Sequence, residues 1–334
     1  MAGISGGALA ASVSRAGALG FIAAAHLADF SHLRAQVDIF RKQAPLGSPL
    51  SIGFICFSSM KDGLSRVESA LREHKPDVVQ YFAPAVMGDN IKLAHSLGAL
   101  VICQVGSERD AVEAMSEGAD AVIVQGKEAG GHGLRPHLGS STLPLAARVA
   151  ALAAQESSRQ TSVLAAGGIV DGRGLAAALA LGCDGAVFGT RLWASKEAMG
   201  PDSFKQALIA ASPDDVARTT VFDQVQNSYR DFPWPYPYDS SGALRNTLTE
   251  QWLNRAEELA QALTDDGSSL ASDHRQAEVV GLASEACVFA GEGVGDISAI
   301  ASAESLVRQA EADARLQIER LQRYMNFDQL PRGK

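Results

Sequence analysis

The chain has 334 residues, 46% of them hydrophobic, 20% charged and 6% aromatic, a globular composition that excludes disorder, collagen and coiled coil. The 29 Lys and Arg against 38 Asp and Glu leave a net charge of −9 with no long basic run, which argues against nucleic acid or an anionic membrane as partner. The length suits one large α/β barrel with an excursion, or two domains, and allows a core that needs neither disulfide nor metal.

Gly3, Gly6 and Gly7 open the chain as a glycine-rich turn ahead of a helical pattern over residues 8–16. The apolar stretch 17–27 lacks a basic flank and is interrupted by small residues, so it reads as mature structure and not as a signal sequence. No stretch reaches the ~18 apolar residues of a membrane span. Short apolar runs then recur at 19–25, 50–57, 77–83, 99–105, 120–125, 162–167 and 185–189. They are rich in Val, Ile and Ala, as strands buried on both faces are. The helix-period segments between them, such as 107–117 and 172–182, imply parallel pairing.

Seven strands are one short of a closed (β/α)₈ barrel. The expected fold is therefore an α/β, TIM-type barrel with its first strand missing from the pattern, through an open seam or an upstream strand outside this sequence. After Glu197 the rhythm stops. Helical patterns are predicted over 201–211, 242–263 and 273–284, and an amphipathic helix over 297–324 that packs back on the barrel. The division expected is a barrel over 1–199, an inserted, mainly helical lid or substrate region over 200–290, and a closing segment over 291–334. Within the insert, Asp231-Phe-Pro-Trp-Pro-Tyr-Pro-Tyr-Asp239 is a stiff, extended stretch, either an inter-element linker or partner-docking segment, or a wall of an active site. The four separated cysteines, Cys56, Cys103, Cys183 and Cys287, read as buried free thiols of a reducing, cytoplasmic compartment.

A barrel keeps its active site at the C-terminal ends of its strands. Two glycine turns stand there: Gly167-Gly168-Ile-Val-Asp-Gly172-Arg-Gly174 and Gly189-Thr190-Arg191. Glycines let the main chain approach a phosphate, and its N–H groups complement the charge; glycines serving only tight turns are the competing reading. Neither turn matches the nucleoside triphosphate loop or the strand-linked G-x-G-x-x-G of a dinucleotide fold. A third segment, Gln125-Gly-Lys-Glu-Ala-Gly130-Gly131-His132-Gly133, holds an imidazole between glycines in what reads as an exposed loop, suited to proton transfer near neutral pH. His26 and His137 read as structural or solvated, and Glu128 and Asp171 as solvated loop charges. No metal-type cluster or Ser/His/Asp signature stands out.

Residues 125–133 and 165–191 closely resemble the nitronate monooxygenase family, formerly called nitropropane dioxygenases. The start at Met1-Ala-Gly-Ile-Ser-Gly-Gly and the turn Ala290-Gly-Glu-Gly-Val-Gly295 look like that family's first and last turns. The resemblance implies an FMN-dependent barrel that oxidises alkyl nitronates or nitroalkanes with O₂ to a carbonyl compound and nitrite. It implies that Gln125, Gly130 and Gly131 contact the flavin and that Gly167, Gly168, Gly189 and Thr190 bind its phosphate. His132 falls on the catalytic histidine, which deprotonates a nitroalkane when neutral or holds an anionic nitronate when charged. Ser51-Ile-Gly53-Phe resembles the subgroup that has Gly where others present Asn, which adds Gly53 to the cofactor residues. The Trp234–Tyr238 stretch is similar to the family's and is expected near substrate. The partners expected are a small nitro compound and O₂, with no nucleic acid and no membrane, and the state of oligomerisation stays open. The alternatives are an FMN-dependent enoyl-thioester reductase using NAD(P)H and a degenerate, non-catalytic barrel.

Overall fold

The computed structural model describes residues 3–24, 30–57, 63–83, 87–155, 161–230, 233–265 and 267–325. The start at Met1 and Ala2, residue 25 of the first apolar run, His26 and the dipeptide Asp231-Phe232 lie outside the described residues. Seven strands form one curled parallel sheet, a TIM-like half-barrel. They are β1 (Phe21–Ala23), β2 (Ser51–Ile55), β3 (Val78–Phe82), β4 (Leu100–Val105), β5 (Ala121–Gln125), β7 (Ser162–Ala166) and β8 (Gly185–Val187), paired in the order β1-β2-β3-β4-β5-β7-β8. Each lies inside one of the seven predicted runs.

The strands look uniformly apolar because helices cover one face and side chains fill the other. Val79, Tyr81, Val101, Cys103, Val122 and Val124 point outward into a layer with Leu71, Ile91, Met115, Leu145 and Val149 of the surrounding helices. Val78, Ile102, Ala121, Ile123 and Ala166 form a separate inner cluster. Side chains alternate with period two, so the next inward positions are Gln80 and Phe82 on β3, Gln104 on β4 and Gln125 on β5. Strand starts share one device. Asp77, Asp120 and Asp184 each stand just before a strand and accept the N–H of Leu50, Val101 and Val163 respectively, all at 2.8 Å.

A second, antiparallel sheet sits over the strand ends. Its strands β6 (Gly131–Gly133), β9 (Val216–Thr219) and β10 (Ser240–Leu244) run in the order β6-β10-β9, with His132 opposite Ser241 and Ser241 opposite Thr219. This corrects two expectations. The loop holding His132 is a short strand, because β10 gives it an edge to pair with. The predicted helix over 242–263 begins instead with the last three residues of β10, all five of whose residues are buried. Helix starts only at Thr247, where Asn246 Oδ1 accepts the N–H of Thr249 at 3.2 Å. The third predicted helix also shifts, to Gly267–Val280.

The closing helix, Ala303–Met325, lies against the helix Gly172–Ala180, and a Cβ on Gly172 would fall 2.5 Å from Ala310 O. Glu304 pairs with Arg15 at 3.2 Å. All four cysteines are free and buried. No helix among the described residues is long and apolar enough to cross a membrane.

Candidate active site

A cavity of about 540 Å³ opens at the C-terminal ends of the parallel strands. The catalytic and cofactor residues implied by the resemblance all line it: His132, Gln125, Gly130, Gly131, Gly53, and the turn residues Gly167, Gly168, Gly189 and Thr190. The sheet order sets its two ends. The glycine turns follow β7 and β8, while Phe57 follows β2 and Phe82 ends β3. Between β3 and β7 lie three strand spacings, roughly 14 Å.

His132 is held from three sides. Its Nε2 meets Asp223 Oδ1 at 2.6 Å, and the two side chains are 8% and 1% exposed. Asp223 comes from the helix Val221–Asn227 and also accepts Ser241 Oγ at 3.2 Å. The indole of Trp234 stacks on the imidazole at 3.8 Å between centroids with planes 13° apart, and Phe289 meets it edge-on at 5.4 Å. Burial pushes the imidazole below its ordinary pKa, while the Asp223 carboxylate pulls the other way and only partly offsets it. Trp234 is itself fixed through its main-chain N–H, which donates to Asn227 Oδ1 at 3.1 Å. The same loop is tied to the β6 segment by Arg135, whose guanidinium pairs with Asp239 at 2.6 Å and whose main-chain N–H donates to Pro237 O. Among the described residues of this aromatic stretch, Trp234 lines the cavity.

An amide relay crosses the cavity floor. Gln80 Nε2 donates to Gln104 Oε1 at 2.8 Å, Gln104 Nε2 to Gln125 Oε1 at 3.0 Å, and Gln125 Nε2 to the carbonyl of His132 at 2.9 Å. Each amide keeps a second N–H that the relay does not use. The glycines divide into two kinds. A Cβ on Gly131 or Gly189 meets nothing within 4 Å. A Cβ on Gly130 would fall 2.7 Å from Ala290 C, on Gly53 would strike the Phe21 ring, and on Gly167 would strike Thr142 Oγ1. The first kind leaves space in the cavity, and the second lets protein segments close on one another. The main-chain N–H groups of Gly168, Ile169, Gly189 and Thr190 have no protein acceptor among the described residues.

The turn 290–295 completes this end. Gly291 and Gly293 line the cavity, Gly291 N donates to Thr190 Oγ1 at 3.0 Å, and Glu292 N donates to Glu128 O at 2.9 Å. Beneath the Gly130 loop, the half-buried Arg218 donates to the carbonyls of Lys127, Ala129, Gly131 and Ser240 at 2.6–3.3 Å, and burial pulls its pKa down to about 10. Glu128 and Asp171 do helix-capping work: Glu128 accepts Thr142 N and Oγ1, and Asp171 accepts Arg173 N. His137 is exposed. Among the described lining residues only His132 and Arg230 are ionisable, and none is a carboxylate.

Sequence reasoning missed Asp223, Arg218, Gln80 and Gln104. The two glutamines carried a signal, since each stands two residues beyond an inward apolar residue on its strand. Asp223, 91 residues from its partner, carried none.

Residues 55–312 match the model of the nitronate monooxygenase family. A nitronate monooxygenase of Neurospora crassa is 31% identical, covering 96% of this chain and 89% of that protein. Among solved structures, FabK from Thermotoga maritima is similar with a TM-score of 0.76 at 26% identity, covering 97% of this chain and 93% of that one. A nitroalkane oxidase from Streptomyces ansochromogenes gives 0.75 at 23% identity over 96% and 94% of the two chains, a likeness of fold.

Proposed function

The chain belongs to the nitronate monooxygenase family of flavin-dependent oxidoreductases, and from that premise we propose that it binds FMN and oxidises alkyl nitronates with O₂. In balanced form, two nitronates and one O₂ give two carbonyl compounds and two nitrite ions. The observation that carries this reading is that His132 and both glycine turns line one cavity.

The residues fit the cofactor. Unpartnered N–H groups at Gly168, Ile169, Gly189 and Thr190 suit a phosphate, and the open space at Gly131 and Gly189 admits a ligand against the main chain. A described lining without carboxylates repels neither a phosphate nor a nitronate. Gly167, Gly168, Gly189 and Thr190 would hold the phosphate end, and Gln125, Gly130, Gly131 and Gly53 the ring end. When bound, FMN supplies the electron-accepting chemistry, which no protein side chain offers.

The protein contributes a placed base. Pairing with the Asp223 carboxylate makes Nε2 the protonated nitrogen of neutral His132. That leaves Nδ1, which has no hydrogen bond within the described protein, to take a proton from the carbon beside a nitro group. Burial holds the ring neutral at pH 7, and Asp223 then stabilises the imidazolium that forms. Trp234 and Phe289 fix the ring and exclude water from it.

The test is to purify the protein, denature it and identify the released cofactor, then follow nitrite release from alkyl nitronates. One FMN per chain and nitrite production are the expected results. The likeness to FabK favours a second reading, an enoyl-thioester reductase that draws electrons from NAD(P)H. Nitrite release without any nicotinamide speaks against it.

A further inference from the structure

The end of the cavity away from the glycine turns is walled by rings. Phe57 and Phe82 both pack against Trp234, at 5.1 Å and 5.8 Å between centroids, and all three line the cavity beside His132. Ile55 extends the same wall. The cation near it is already engaged. Arg230 lies 3.3 Å from Glu278 Oε1, and Glu278 also accepts Tyr229 Oη at 2.9 Å and Gln226 Nε2 at 2.7 Å. A substrate bearing a carboxylate would therefore lose its hydration against aromatic faces, and its only described cation is held by another carboxylate. An apolar ring would instead find offset and edge-on partners.

We propose that the site prefers nitronates whose carbon carries an apolar, ring-sized substituent over nitronates that carry a carboxylate, and that Trp234, Phe57 and Phe82 set this preference. The inference rests on the nitronate reading above and names its substrate class.

The experiment measures kcat/KM for nitrite release from the nitronates of phenylnitromethane, nitropropane and nitropropionate. It compares the wild-type holoenzyme with the Trp234→Ala and Phe57→Leu variants. The wild type should favour the phenyl compound over nitropropionate by about 10–100-fold, the range a hydrophobic pocket supplies. Phe57→Leu, which keeps the wall apolar and touches no catalytic group, should narrow that ratio mainly through a raised KM for the phenyl compound. Trp234→Ala, which also frees the His132 ring, should lower kcat as well. Equal or greater activity on nitropropionate, or a ratio that neither variant changes, overturns the substrate class while nitrite release upholds the reading it rests on. Absence of nitrite from every nitronate overturns both.

Discussion

The cavity's two ends are made of different material. Toward β7 and β8 the lining is main chain: Gly167, Gly168, Gly189, Gly291 and Gly293, with N–H groups, open space beside Gly189, and segments closing on one another at Gly167, Gly291 and Gly293. Toward β2 and β3 it is side chain: Phe57, Phe82, Trp234 and, above them, His132 locked to Asp223. A main-chain site recognises what relatives share, because it depends on local turns that few sequences can make. A side-chain site sets reactivity and selectivity, because each wall residue can change without breaking a turn.

The sharpest way to break this contrast is at the side-chain end. His132→Asn should cut turnover of neutral nitroalkanes by about 10²-fold or more while FMN stays bound, measured by nitrite release and by flavin absorbance after gel filtration. Loss of flavin together with activity would mean that the two ends are not separable. Asp223→Asn keeps the shape but removes the charge behind the ring. It should cost about 10–100-fold in kcat/KM on the same substrates, as expected for loss of a charge-assisted hydrogen bond. It should also move the acid limb of the pH profile further down, since the carboxylate is what raises the imidazole's pKa against burial.

At the main-chain end, the two kinds of glycine should part company. Gly189→Val places atoms in open space and should weaken FMN binding about tenfold or more with little change in melting temperature. Gly130→Ala drives a Cβ into Ala290 and Gly291 and should cost about 1–3 kcal/mol of stability, read by thermal unfolding. Equal behaviour of the two variants would erase the distinction.

The smallest effect is global. Burial depresses the pKa of His74, His132 and His274 alike. The unfolded chain therefore takes up protons at about pH 6.5, before the folded chain does. Stability from these groups is full above that pH and falls as the pH drops through it toward the lower folded values. The melting temperature should be lower at about pH 5.5 than at about pH 7.5, and an unchanged value would contradict these burial-driven shifts.

The same contrast explains what could be read in advance. The seven parallel strands were legible because burial on both faces leaves short Val/Ile/Ala runs. The glycine turns were legible because a turn is written in consecutive residues. The strand nature of Gly131–Gly133 and Ser240–Leu244 was not, since each is a strand only because the other supplies its edge. Asp223 and Arg218 were hidden for a related reason: a carboxylate or guanidinium in a mixed helix or strand looks solvated until the fold brings a buried imidazole or a ring of carbonyls to it. Gln80 and Gln104 were within reach, had the strands been read for the face each polar residue takes.

The most direct test of the account mixes the purified holoenzyme with an alkyl nitronate under anaerobic conditions and, separately, with NADH. The account predicts that the nitronate bleaches the visible flavin absorbance and NADH does not. Rapid bleaching by NADH with no response to any nitronate would contradict it.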